Sequence, residues 1–138
     1  MTTKIANQEV SKLNFIGRIT TPYQDIAACP NNITRDGPLC SIELDLEYQQ
    51  GLIGLNVGDS VLILYWLAGA DRQVKVHGND SEAKGTFALR TPNRPNPIGA
   101  AILEIVGLSD SGVALRGLDC LNGTPLLDIK PAIMQELK

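Results

Sequence analysis

Val61-Leu62-Ile63-Leu64-Tyr65-Trp66-Leu67 is an unbroken apolar run without a charge or a turn former. A continuous run of this kind predicts a central strand buried on both faces. Upstream, Ile42, Leu44, Leu46 and Tyr48 alternate with Glu43, Asp45 and Glu47. Period two over 42–48 predicts a strand with one wet face. Further short strands are expected over 15–19, 73–77, 85–89, 100–106, 113–118 and 126–129. The 100–106 and 113–118 strands are expected to pair around the Asp110-Ser111-Gly112 turn. Helical signals are weaker: a turn or two at 25–28 and 48–53, and a short helix at 132–137 after Pro131. With 13 glycines and 8 prolines as punctuation, about eight short strands imply a mainly β protein, a small β-barrel or closed sandwich. It is expected to fold as one domain over residues 1–138.

The arithmetic agrees. At 138 residues and 14.8 kDa, the chain can bury a core without metal or disulfide staples. Apolar residues make up 43% and charged residues 20%, which excludes a disordered tail. The longest apolar run is too short to cross a bilayer as a helix. Met1 to Glu9 has no apolar core of a signal peptide. A soluble cytoplasmic protein without membrane contact is expected. A net charge of -3 argues against a general nucleic-acid coat protein. Even so, Arg72, Lys75, Lys84, Arg90 and Arg94 cluster in sequence, as a local basic face or as a solvated loop.

Absences narrow the chemistry. Cys29, Cys40 and Cys120 are widely spaced, and His77 is the one histidine. No metal site and no disulfide framework are implied; buried thiols are the simpler reading. There is no dinucleotide-binding glycine fingerprint, no P-loop and no nucleophile elbow.

Two segments carry information. Arg90-Thr91-Pro92-Asn93-Arg94-Pro95-Asn96-Pro97-Ile98-Gly99 cannot be a ladder strand, because its prolines fix the backbone and remove amide donors. It is either a stiff crossover or a preorganised loop offering guanidinium forks and amides to a ligand. In the 118–131 segment, Asp128 and Lys130 share one face of a strand, while Leu127 and Ile129 point the other way. They form either a surface ion pair or a charged pocket rim.

These segments, with the opening Phe15-Ile16-Gly17-Arg18-Ile19-Thr20-Thr21-Pro22-Tyr23, closely resemble the TsaA-like, or TrmO, family. The resemblance implies a β-barrel methyltransferase that uses S-adenosylmethionine (SAM) without a Rossmann fold. It implies a homodimer with the active site near the subunit interface. The implied activity is methylation of N6 of threonylcarbamoyladenosine at tRNA position 37.

By the same resemblance, Arg90 matches a SAM-contacting arginine. Gly117, Leu118 and Asp119 match a cofactor-binding loop, and Ala100 another cofactor-lining position. Arg94, Asn96, Asp128 and Lys130 match positions shaping the cofactor and acceptor pocket. Asp128 would orient the acceptor N–H or take its proton, and Lys130 would hold an anionic acceptor group. The chain departs from the family's pattern where Pro30-Asn31-Asn32 stands for a Pro-Arg-Gln-like loop and Ala68-Gly69 for a His-Gln pair. Asn122 replaces an Asp, and Ala132 an aromatic. With the periphery altered, three readings stand: a tRNA methyltransferase, a methyltransferase of a small metabolite, and a SAM-binding module without turnover.

Overall fold

The computed structural model describes residues 11–137. Seven strands form one antiparallel sheet: β1 (Gly17–Thr20), β2 (Leu39–Leu44), β3 (Ser60–Trp66), β6 (Ile98–Glu104), β7 (Gly107–Leu108), β8 (Gly112–Arg116) and β9 (Thr124–Pro131). The order is β6-β3-β9-β1-β2-β8-β7. A separate two-stranded ribbon pairs β4 (Val76–His77) with β5 (Lys84–Gly85). The two edges of the large sheet, β6 and β7, are joined only by Ile105 and Val106. Two residues span roughly 7 Å of chain, so the sheet must curl until its edges nearly meet. It is a curled half-barrel, and Val106 N donates to Ala114 O at 2.9 Å where the edges converge.

The core fills the concave side with Ile19, Ile42, Val61, Ile63, Ile105, Leu115, Leu118 and Leu126, all essentially inaccessible. Alternation along β2 puts Cys40, Ile42 and Leu44 inside and Leu39, Ser41 and Glu43 outside. The expected continuation to Tyr48 is overturned: Leu46–Leu52 is a 3-10 helix and Leu46 is 84% exposed. Asp45 N donates to Ile16 O, ending the β2 ladder there. The 3-10 helices at Ile26–Ala28 and Met134–Leu137 stand where helical turns are expected. The strand expected over 85–89 is overturned, with only Lys84–Gly85 paired and Thr86–Ala88 in a 3-10 helix. Of 73–77 only Val76–His77 is strand, followed by a 3-10 helix at Asp80–Glu82. Asp25 caps the Ile26–Ala28 helix, its Oδ1 accepting from Ala28 N at 2.9 Å.

β3 also departs from expectation. Val61, Ile63 and Tyr65 are buried, but Leu62, Leu64 and Trp66 are only half-buried. Among the described residues no second layer covers its outer face, so the run is apolar on both sides while one side stays partly open. β9 carries a bulge opposite Leu64 and Tyr65. Asp128 pairs with Leu64 and Lys130 with Leu62, which puts both charges on that outer face. No helix among the described residues is long and apolar enough to cross a membrane.

Candidate functional site

The proline loop is tied down from several sides. Leu67 N donates to Pro97 O, and Ile98 N to Asn96 O, both at 2.8 Å. Arg94 Nη1 donates to Leu89 O at 3.1 Å and Thr91 O at 2.8 Å, spending much of its fork on its own loop. Arg72 lies over the Trp66 ring, 5.3 Å from its centroid. From there its Nε donates to Pro95 O at 2.7 Å, and its Nη2 to Asn96 Oδ1 at 3.4 Å. Asn93 Oδ1 accepts from Asp71 N. The loop is thus a stiff crossover, and it also forms a wall.

That wall bounds a groove of about 1080 Å³. Its apolar floor comes from β3 and β6, including Leu64, Trp66, Ile98 and Ile102. The structure brings Pro30, Asn31, Asn32, Ala68, Gly69, Arg90, Arg94, Ala100 and Asp119 together along it. Pro30, Asn31 and Asn32 arrive on the loop before β2, Ala68 and Gly69 follow β3, and Ala100 lies within β6. Other positions from the sequence lie outside the lining. Asn96 is exposed and held by Arg72. Leu118 is wholly buried in the core. Gly117, at φ 90°, packs against Thr34 behind the wall. Asp128 and Lys130 pair with each other at 3.3 Å on the outer face of β9. A half-exposed pair of this kind contributes little to stability.

The polar features are few and separate. Arg90 Nη2 donates to Ala100 O at 3.1 Å, which leaves the rest of its fork for the groove. Asp119 Oδ1 accepts from Tyr65 Oη at 2.9 Å. Among the described residues the ion pairs are Lys75–Asp71 and Lys130–Asp128, so Arg90 and Asp119 do not neutralise each other. Tyr65 is 3% exposed. Burial first, then the Asp119 charge, pushes its hydroxyl far above the ordinary phenol range, against a smaller opposing pull from Arg90. It is a permanent donor at neutral pH. Burial likewise pushes the Cys120 thiol up to about 12 and raises Cys29, so neither groove cysteine is poised as a thiolate nucleophile. Among the described residues no cluster of His, Cys, Asp and Glu could hold a metal ion.

These shifts predict alkaline destabilisation. Unfolded, the Cys120 thiol and Tyr65 phenol ionise near 9.0 and 10.0. Folded, both hold their protons to higher pH, so stability is complete below about pH 9 and falls above it. Urea midpoints at pH 8, 9.5 and 11 should decline, and Tyr65→Phe should flatten the decline above pH 10. An unchanged slope would mean that the phenol is not buried as described.

Tyr65 was not among the sequence candidates, because within an apolar run it reads as core. Asn122 pins the neighbouring segment: its Oδ1 accepts from Thr21 N at 3.1 Å and its N–H bonds Tyr23 O.

Comparison with known proteins places this groove in context. The "Probable S-adenosyl-L-methionine-binding protein VirR" of Rhizobium radiobacter is 41% identical over 123 residues, 88% of this chain and 70% of that protein. An "S-adenosyl-L-methionine-binding protein" of Archaeoglobus fulgidus is 32% identical over 120 residues, 86% of each chain. The crystal structure of TrmO from Pseudomonas aeruginosa superposes with a TM-score of 0.74 at 27% identity, over 91% of this chain. This chain spans 57% of that structure's length. Residues 18–136 match the family described as tRNA-methyltransferase O N-terminal domain, and the chain belongs to that family.

Proposed function

We infer that this chain binds SAM in the groove and transfers its methyl group to N6 of threonylcarbamoyladenosine at position 37 of tRNA. The observation that carries the reading is a guanidinium and a carboxylate, Arg90 and Asp119, in one largely apolar groove, neither in an ion pair among the described residues. The residues fit the donor: an apolar floor for adenine, a guanidinium for a carboxylate, a carboxylate for an amino or hydroxyl group, and no lysine in the lining to repel a sulfonium. Bound SAM supplies an electrophilic methyl group, so the chain's task is alignment and exclusion of water rather than covalent catalysis. The relatives named for SAM binding and the family's name support donor and reaction class.

In this reading a second copy of the chain closes over the outer face of β3 and β6, so that the apolar floor that takes the adenine lies at the subunit interface. Leu62, Leu64, Trp66, Ile98 and Ile102 make that face apolar yet partly open, a poor surface to leave in water. Asp128 and Lys130 border it on β9. There Asp128 accepts from the acceptor N–H, directly or through water, and Lys130 holds the threonyl carboxylate.

A small metabolite as acceptor is the second reading. The net charge of -3 favours it, as does the engagement of Lys75 by Asp71 at 2.7 Å and of Arg72 by the proline loop. Both leave less cationic surface for a polynucleotide.

The test is a labelled-methyl assay on tRNA from cells lacking this chain. Label in the threonylcarbamoyladenosine nucleoside is expected. Label only in small molecules supports the second reading, and SAM binding without transfer makes the chain a binding module. Arg90→Ala should weaken SAM binding about tenfold, equivalent to the loss of one charge-assisted hydrogen bond of roughly 1.5 kcal/mol. Unchanged affinity by calorimetry would remove Arg90 from the site.

A further inference from the structure

Gly99 and Tyr65 face each other across the β3–β6 ladder. A Cβ on Gly99 would lie 2.7 Å from Cδ2 and Cζ of the Tyr65 ring, and nearer still to Cε2. No side chain is possible there without moving the ring. The glycine lets the tyrosine lie flat on its neighbouring strand, and that pose carries Oη 2.9 Å from Asp119 Oδ1. Tyr65 and Asp119 are 54 residues apart in sequence. Both line the groove, as do Gly99 and Arg90. Among the described residues this is the one hydrogen bond that Asp119 accepts.

A carboxylate with both oxygens free can rotate and accept from any donor nearby. One oxygen held by a buried phenol fixes the plane of the group and leaves Oδ2 as the acceptor for a ligand. In the same groove, Arg90 is anchored by Ala100 O with donors to spare. A fixed carboxylate oxygen and a separate guanidinium in one groove match an ammonium and a carboxylate on one carbon, the head of an α-amino acid.

We propose that Tyr65, seated on Gly99, is a positioning residue that aims Asp119 so that Asp119 and Arg90 together read the amino-acid end of the methyl donor. The proposal rests on the SAM-binding reading and names which part of the donor meets which end of the groove. Asp119 Oδ2 takes the α-ammonium, Arg90 takes the α-carboxylate, and the adenosine lies along the apolar floor. Selectivity for a complete amino-acid moiety is then a property of the Tyr65–Asp119 hydrogen bond, not of the apolar floor.

Two ligands separate the possibilities in the full chain. S-adenosylhomocysteine carries the amino-acid head; 5′-methylthioadenosine is the same nucleoside thioether without it. Calorimetry on the wild type should show tighter binding of the first. Tyr65→Phe keeps the ring against Gly99 and should weaken S-adenosylhomocysteine about tenfold while shifting 5′-methylthioadenosine less than twofold. Asp119→Asn should behave the same way. Equal loss for both ligands would make Tyr65 a structural residue and overturn the proposal, as would no loss for either. A wild type that binds neither ligand would remove the SAM-binding reading itself, a result distinct from selectivity that survives in Tyr65→Phe.

Discussion

Asp119→Ala should cost about 30- to 100-fold in SAM affinity and lower the stability of the free protein as well. The two losses have different causes. Removing the carboxylate deletes a charge-assisted hydrogen bond to the ligand, worth about 1.5–3 kcal/mol. It also strands the Tyr65 hydroxyl, which is buried at 3% exposure and donates to Asp119 Oδ1. A buried donor left without a partner costs roughly 1–3 kcal/mol. Asp119→Asn distinguishes the terms, because its amide oxygen still accepts from Tyr65 but carries no charge. It should unfold close to the wild-type urea midpoint and still bind SAM poorly. Wild-type affinity in Asp119→Ala would remove this carboxylate from the ligand site.

The half-barrel was legible because antiparallel strands leave local marks. The alternation through Ile42 and Leu44, the apolar run at Val61, and the Asp110-Ser111-Gly112 turn each report on neighbours close in sequence. The turn lies where expected, with Gly112 N donating to Ser109 Oγ at 3.0 Å, but the expected pairing is overturned: β8 pairs with the short β7, whereas β6, at the other edge of the sheet, pairs with β3. What failed was extent. Period two continues past Leu44 into Leu46 and Tyr48, yet the strand stops, because Asp45 turns to bond Ile16 O. A pattern cannot report that its partner strand has ended. Nor could it show that Leu62, Leu64 and Trp66 line an open face.

The site divides in the same way. Arg90 and Asp119 came from the family resemblance, and the groove gathers them with the 30–32 loop and Ala68-Gly69. The link between Tyr65 and Asp119 spans 54 residues and has no local signature. Gly99 was visible as the end of the proline motif, but its reason lies in the ring stacked on it. The resemblance implies ligand contact for Gly117 and Leu118; what the fold adds is their packing, with Leu118 filling the core and Gly117 supporting a loop.

That support makes Gly117→Val the most damaging single change expected here. Gly117 sits at φ 90°, where L residues are strained. An added Cβ would overlap Thr34 O and lie 2.5 Å from Thr34 C. Thr34 N donates to Gly117 O at 3.0 Å, and Gly117 N to Pro38 O at 2.9 Å, so the glycine is stitched to the 30–38 loop at both of its backbone polar groups. Backbone strain and overpacking each cost about 1–3 kcal/mol. Because the obstruction is backbone and not the end of a flexible side chain, no rotamer change relieves it. The chain must detach the loop, which carries Pro30, Asn31 and Asn32 into the groove. Gly117→Val should therefore lose about 3 kcal/mol or more of stability. It should also become susceptible to limited proteolysis within 30–38. Gly117→Ala meets the same carbonyl and should fall between the two. Cleavage elsewhere with the 30–38 loop still protected, or an unchanged urea midpoint, would show that the loop is held by contacts other than these.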